Sequence, residues 1–507
     1  MPRRLLLLAT LALAACGTLS GDDNRPEYRA YWAETFNTRL GTRADIDAVI
    51  DAAAQSNANA LFVQVRRRGD SWYLDSKEPL TEVAGVGEPD ATGRWTLDPL
   101  RYLIDQAHAR SIEIHAFVIV GAVYRDDPAT KLPVDPNHVF LQHVWDRIAN
   151  APYNDERQWA TRSLATSSDV SSGGYRFGTE WYLDLGHPGA AAYTVDVLAH
   201  LVAHYAVDGI HLDRIRYPEA PIDSGQPLGI NVGYNPTSVA RFNARHGKSG
   251  DPKSNDALWN AWRREQVTSF VRRLYITTKA IRPSVKVSAA LITFGAGASA
   301  SGGFANTEPY YRVFQDWNTW SEEGILDLLV PMIYKRESVA AQAAQYDDWT
   351  RFTVATARED GRHGLIGIGA YLNTLEHTTR QARRAHDNGA DGVVFYSLAT
   401  TSTDRGNADF FAAMKSGPFA TPVAPPALLL TTGHVAGVVE NSDGAEVRIE
   451  RIGSTSSRTT ITDGNGWFGF AHLAPGRYRV DSCTVEVRLG EVTTVPDHCS
   501  PRRRAAR

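Results

Sequence analysis

Eight short apolar runs alternating with amphipathic stretches constrain this chain more than any other feature. The runs are Arg29–Phe36, Ala58–Arg66, Ile112–Val120, Val207–Ile215, Val285–Thr293, Asp327–Tyr334, Gly364–Tyr371 and Ala390–Leu398. Between them, segments such as Ala44–Ser56, Pro99–Ser111, Ala190–Tyr205, Leu258–Arg282 and Thr374–Asn388 repeat apolar residues at helical spacing. Strand and helix alternating eight times predict an α/β fold, a closed parallel (β/α)8 TIM barrel rather than an open doubly wound sheet. No glycine-rich dinucleotide fingerprint follows the first strand, which argues the same way.

At 507 residues the chain exceeds a usual single domain. The stretch GPFATPVAPP marks a proline-rich linker over 417–427, after a barrel over 27–416. Residues 428–499 alternate short strands with turns and predict a small all-β sandwich, followed by a solvated basic tail over 500–507. Within the sandwich, TDGNGWFGFAHLAPGRYRV (Thr462 to Val480) resembles the carboxypeptidase-regulatory-like, or prealbumin-like, module, which speaks to fold and assigns no catalysis.

The N-terminus, MPRRLLLLATLALAACG, has two arginines, an apolar run too short to span a bilayer, and small residues before a cysteine: an export signal over 1–16. Leu13-Ala14-Ala15-Cys16 resembles the bacterial lipobox, implying cleavage before Cys16 and lipid on its sulfur. Gly17 rather than Asp at the next position implies the outer membrane, facing the periplasm. The remaining cysteines, Cys483 and Cys499, suit a disulfide in an oxidising compartment. A net charge of −4, spread along the chain, offers no nucleic-acid footprint.

The chemistry concentrates at VDGIHLDRIRYP, Val207 to Pro218. Strand alternation sends Ile210 and Leu212 outward while His211 and Asp213 face the barrel axis, with Asp213 at the C-terminal end where such barrels carry active sites. A plainer reading makes Asp213 a loop ion pair with Arg214 or Arg216. The same parity aims Glu34, Gln64, Arg66 and His115 inward, and Tyr334 and Tyr371 end the sixth and seventh strands. Polar groups converging inside a barrel destabilise it unless they pair or bind something, although a lone His115 or His211 suits a hydrogen-bonded core. VQVRRRGDSWYLDSKEP adds Asp70, Trp72 and Tyr73, and EWYLDLGHP adds Asp184 and His187, with Asp184 equally suited to fixing the following turn. The long connections Gly121–Gly186 and Arg216–Leu258 leave from the same end and predict groove walls.

The blocks EYRAYWAETFNT, ANALFVQVRRRGDSWY, IEIHAF, DGIHLD and LDLLVPMIY together resemble the bacterial glycosyl-hydrolase-like family ten of YngK-like lipoproteins, over about Glu27 to Ser416. The resemblance implies a TIM barrel hydrolysing a glycosidic bond in a bacterial envelope polysaccharide, with peptide-stripped peptidoglycan glycan the leading candidate. It matches Asp213 to the strand-four catalytic carboxylate. The chain departs from the family's third-strand loop, where HAFVIVGAVYR leaves Tyr124 and Arg125 loosely matched, and after strand six, where Met332 replaces an amide.

Glycoside hydrolysis uses a protonated and an ionised carboxyl group. Asp213 is expected to be the ionised one, held so by Arg214, Arg216 or Arg66. Its partner stays open among Glu34, Asp184, Asp70 and Glu337. Trp32, Trp72, Trp181 and Tyr73 are candidates for stacking on sugar, whereas Trp317 and Trp320 read as packing. Gln64, Arg66, His115, His187, His211, Arg214, Tyr334, Glu337 and Tyr371 complete the substrate-binding expectation, with a glycan and a lipid bilayer as partners, a monomer assumed, and no cofactor or metal. Two rival readings are a metal-dependent hydrolase or deacetylase using His115, His187, His211 and Asp213, and an anchored carbohydrate-binding protein without catalysis.

Overall fold

The computed structural model describes residues 25–126, 131–164, 173–220, 222 and 229–496. Cys16, Cys499 and the basic tail lie outside the described residues. All eight expected strands form: β1 (Tyr28–Ala33), β2 (Ala60–Arg66), β3 (Glu113–Ile119), β4 (Gly209–Asp213), β5 (Lys286–Leu291), β6 (Leu328–Ile333), β7 (His363–Gly369) and β8 (Gly392–Tyr396). They pair in sequence order, and β8 returns to β1 in parallel register, Tyr28 beside Gly392 through Trp32 beside Tyr396, which closes the barrel. The helices that follow them in turn are α1 (Arg43–Gln55), α2 (Pro99–His108), α3 (Pro188–His204), α4 (Ala257–Ile281), α5 (Trp317–Glu322), α6 (Ala340–Glu359), α7 (Leu375–Asp387) and α8 (Asn407–Ser416). Capping sets several starts: Thr42 and Asp45 form a reciprocal capping box on α1, and Asp98 caps α2 ahead of Pro99.

Strand alternation sorts the apolar residues into two layers. Tyr31, Leu61, Val63, Ile114, Ile210 and Leu212 turn outward against the helices. Trp32, Phe62, Phe117, Val330, Leu365 and Val394 fill the barrel itself. At about 1.5–3 kcal/mol for each large apolar side chain fully buried, these layers supply most of the driving force, so polar groups inside the ring must find partners. Two glycines make room for large rings. A Cβ on Gly209 would stand 2.1 Å from the His115 ring, and one on Gly367 would stand 2.7 Å from the Trp32 indole.

Beyond the barrel, β9 (Gly433–Val438), β10 (Glu446–Arg451), β11 (Ser457–Ile461), β12 (Trp467–Leu473), β13 (Gly476–Val480), β14 (Cys483–Val487) and β15 (Val492–Thr494) make two sheets, ordered β12-β9-β15 and β11-β10-β13-β14. Val435, Val447, Ile449, Phe468 and Val480 fill the space between them. Cys483 is disulfide-bonded. The sandwich packs firmly on the barrel: Trp467 and Ala471 join the barrel's outer apolar layer, Arg273 pairs with Asp463 at 2.9 Å, and Asp443 takes Arg241 and Arg245, each at 2.8 Å. The proline-rich segment is likewise tied down, with Asn59 Nδ2 donating to Val423 O at 2.9 Å and Glu27 N to Ala424 O at 3.2 Å. No helix among the described residues is long and apolar enough to cross a membrane.

Candidate active site

The side chains reaching the open C-terminal end of the barrel come from strand ends and from the insertion after β3. Trp32 sits beneath them, 2% exposed, with its ring near Tyr334 (6.1 Å) and Tyr396 (6.1 Å). Tyr334, Tyr371 and Tyr396 form an aromatic wall with centroids 5.4–6.1 Å apart. Asp213 is partly exposed at this mouth and couples electrostatically to the hydroxyls of Tyr182, Tyr334 and Tyr396. Its Oδ1 accepts the Arg214 N–H at 2.7 Å, with Arg214 in the left-handed region at φ 52°.

Below Asp213 runs a chain of hydrogen bonds that fixes one tautomer. Trp32 Nε1–H donates to His211 Nε2 at 3.0 Å, so the ring proton lies on Nδ1 and donates to Ser288 Oγ at 2.9 Å; Ser288 in turn donates to Ile210 O at 3.4 Å. Burial drives the His211 imidazole well below its usual range, which agrees with a neutral ring. His211 is therefore a support for the mouth and touches no solvent, a correction to its expected place among substrate contacts.

The expectation that arginines hold Asp213 ionised is also corrected. Burial raises the Asp213 carboxyl above its ordinary value, and the Arg214 N–H and the Arg216 charge oppose this without reversing it. The other two arginines are engaged elsewhere. Arg214 pairs with Glu180 and donates to the Tyr182 hydroxyl at 2.6 Å. Arg66, with no exposed surface, forks onto Glu78 at 2.7 Å and 2.7 Å and reaches the carbonyls of Ile119 and Val120. It is a buried clamp within the wall, a correction to its expected place among the substrate contacts.

Several further candidates are likewise buried and committed to contacts within the protein. Asp184 is fully buried and stitches the two insertions together, accepting from Gly186 N (2.8 Å), Tyr217 Oη (3.1 Å) and Ser238 Oγ (3.1 Å), so the turn-fixing reading prevails. His187 caps α3 through Nδ1, and burial lowers its imidazole to about 4. His115 lies at the barrel floor, stacked on Phe62 at 4.6 Å and bonded to Glu113 at 3.1 Å. Glu337 is pinned by Arg384 (2.8 Å) and Gln381 (3.3 Å). Trp72, Tyr73 and Trp181 are at most 4% exposed and pack inside the protein, a correction to their expected place facing a sugar. Glu34 is 1% exposed and accepts from Phe36 N (2.6 Å), Asn37 N (2.9 Å) and Asn37 Nδ2 (2.9 Å), which makes it the anchor of the loop after β1. Gln64 steadies that loop too, accepting from Thr35 N (2.8 Å) and Thr35 Oγ1 (2.6 Å).

Four contributors are not singled out by the sequence: Tyr396, Glu180, Arg67 and Arg68. Tyr396 ends β8 inside the ring, and burial, then the charges of Glu34 and Asp213, keep its hydroxyl a neutral donor. The inward-parity rule that selects Asp213 also selects Tyr396. Glu180 reaches the mouth from the hairpin pairing Ala122–Arg125 with Glu180–Tyr182; its side chain, 16% exposed, is held by Arg68 (3.2 Å), Arg214 and the Tyr182 hydroxyl (3.0 Å). Arg67 and Arg68 cover the Phe36 ring at 4.4 Å and 5.1 Å, and with Asp70, Tyr124, Arg125 and Lys131 they line an open cleft of about 360 Å³ beside the mouth.

The ligands of the metal-hydrolase reading do not meet: His115 is at the floor on Glu113, His211 is bonded to Trp32 and Ser288, and His187 caps a helix. What does converge is one partly exposed carboxyl with a raised affinity for protons, a second held by arginine, and a tyrosine wall. That set can protonate a leaving oxygen and present a face to a sugar.

Comparison with known proteins agrees in fold and relationship. A family model described as glycosyl hydrolase-like 10 matches residues 27–374. The chain is 25% identical over 383 residues to glycosyl hydrolase YngK of Bacillus subtilis, covering 72% of this chain and 65% of that protein. It is 26% identical over 356 residues to glycosyl hydrolase DigH of Escherichia coli, covering 66% of this chain and 67% of that protein. Among solved structures, the glycoside hydrolase domain of PgaB from Bordetella bronchiseptica superposes with a TM-score of 0.50 at 12% identity, over 79% of this chain and all of that one. The catalytic domain of β-amylase from Paenibacillus polymyxa does so with a TM-score of 0.50 at 9% identity, over 76% of this chain and 98% of that one. At such identities these two likenesses speak for the barrel fold alone.

Proposed function

The chain belongs to the glycosyl hydrolase-like 10 family, and from that premise we propose that it hydrolyses a glycosidic bond in a bacterial envelope polysaccharide, with Asp213 as the proton-bearing carboxyl. The observation that carries this reading is the place of Asp213, partly exposed at the C-terminal end of β4 at the barrel mouth, where burial also favours its protonated form. Asp213 gives its proton to the departing glycosidic oxygen. Glu180, kept in place by Arg68 and Arg214, faces the charge that develops at the anomeric carbon and takes the proton of the water that bonds there as the leaving sugar departs. Tyr334, Tyr371 and Tyr396 supply the stacking wall, and Tyr371, 39% exposed, is the outermost.

The cleft carries Arg67, Arg68, Arg125 and Lys131 against Asp70 and Glu82, an excess of positive charge that favours a glycan bearing carboxylates. Peptide-stripped peptidoglycan strands have that chemistry. The lipobox ending at Cys16 supports attachment to the outer membrane facing the periplasm, where such strands lie within reach of a tethered enzyme.

The test is the pH dependence of new reducing ends released from stripped glycan strands. Because the acting form of Asp213 is protonated, kcat/KM should fall as pH rises through the carboxyl's pKa, and that alkaline limb should lie above the ordinary aspartate value of 3.8. A rate that climbs through the same region would show that the ionised carboxylate acts instead.

A further inference from the structure

Outside the ring of strands, α3 carries His200 and His204 four residues apart, so both imidazoles leave the same face of the helix. Their rings stack with centroids 3.9 Å apart. The loop after β2 brings Asp75 between them: His200 Nε2 lies 2.9 Å from Asp75 Oδ1, and His204 Nδ1 lies 2.5 Å from Asp75 Oδ2. One ligand atom from each residue lies within 4.8 Å of the other two, the one such grouping of three His, Cys, Asp or Glu side chains among the described residues.

We propose that Asp75, His200 and His204 bind a single divalent transition-metal ion, with zinc(II) the chemistry that fits, and that the ion pins the loop after β2 to α3. Two imidazole nitrogens and one carboxylate oxygen form a borderline-soft donor set with a fourth position left for water. Bonds of about 2.0–2.1 Å in a tetrahedral site put neighbouring ligand atoms about 3.3 Å apart, so the imidazole hydrogen-bonded to the ligating Asp75 oxygen has to withdraw from it by less than about 1 Å. Side chains that are 18%, 42% and 49% exposed have the freedom to do so. The backbone already places Asp75, since its N–H donates to Tyr205 Oη at 2.9 Å and the Tyr205 hydroxyl donates to Asp98 at 2.6 Å. Lys77 adds a further tie from this loop to Asp196 on α3 at 2.5 Å. An ion here would cross-link positions up to 129 residues apart, next to the loop segment that delivers Glu78 to Arg66. This site is separate from the mouth, and sequence alone did not point to it.

The experiment is a titration of the full chain, stripped with chelator, with zinc chloride alone near neutral pH, followed calorimetrically and by metal content after dialysis. Wild type should take up one ion per chain that survives dialysis, and a His200→Ala/His204→Ala variant, missing two of the three ligands, should retain none. Cobalt(II) in place of zinc should give visible absorption bands in wild type that the variant loses. Circular dichroism checks that the variant folds, and if it does not, Asp75→Asn alone carries the comparison. Equal uptake by wild type and variant, or no uptake by wild type at micromolar zinc, would overturn the proposal, whatever the outcome of the glycan assays.

Discussion

Replacing Asp213 with asparagine should lower kcat/KM for glycan cleavage by about 10²–10⁴, the range that a positioned proton donor contributes. The amide keeps the shape of the side chain and its acceptance of the Arg214 N–H, but it has no acidic proton to give. The protein should meanwhile melt at nearly the wild-type temperature. Burial raises the Asp213 carboxyl, so the charged form is a liability to the fold and its removal loses no net favourable interaction. Loss of activity together with stability would instead mean that Asp213 is part of the scaffold. Rates and thermal melts measured on the same preparations separate the two.

The second large effect concerns the clamp under the mouth. Arg66 and Glu78 are both without exposed side-chain surface, and Glu78 also accepts from Tyr193 at 2.9 Å. Removing one partner strands a buried charge, so Glu78→Ala should cost about 3–5 kcal/mol. Changing both, as Arg66→Met with Glu78→Leu, removes both desolvation penalties and should cost far less than the single change. Urea unfolding of the three proteins reads the difference. A double variant as unstable as Glu78→Ala would mean that the guanidinium contacts to the Ile119 and Val120 carbonyls matter more than the ion pair.

The barrel is legible in the sequence because a two-residue period on each strand writes inside and outside directly into the chain. Ile210 and Leu212 against His211 are the clearest case. The rule breaks at Arg66, where an irregularity in the β2–β3 register between Gln64 and Arg66 disturbs the alternation and the side chain finds Glu78 within the wall. Trp72 and Tyr73 illustrate a second limit. Their loop folds back, with Trp72 N donating to Val65 O at 2.9 Å, and the ring of Tyr73 meets Tyr205 on the far side of the wall. Proximity in sequence to a catalytic strand did not say which way an aromatic ring would face. Glu180 depends on a short antiparallel pairing that no local periodicity announces. The electrostatics of Asp213 differ from expectation for a related reason: of the three arginines expected to hold it ionised, Arg214 faces Glu180 and Arg66 faces Glu78, leaving burial to dominate.

α6 shows the same effect in a helix. Its buried face mixes Tyr346, Trp349 and Val354 with Thr350, Thr353 and Ala357, which dilutes the apolar period that identifies α1, α2, α3, α4 and α7.

The central claim, hydrolysis at this mouth, is tested most directly by incubating the chain with peptide-stripped glycan strands in ¹⁸O-labelled water and weighing the products by mass spectrometry. Each new reducing end should carry one heavy oxygen, and the Asp213→Asn protein should release almost none. Intact strands after prolonged incubation with wild type, or fragments free of the label, would contradict the account.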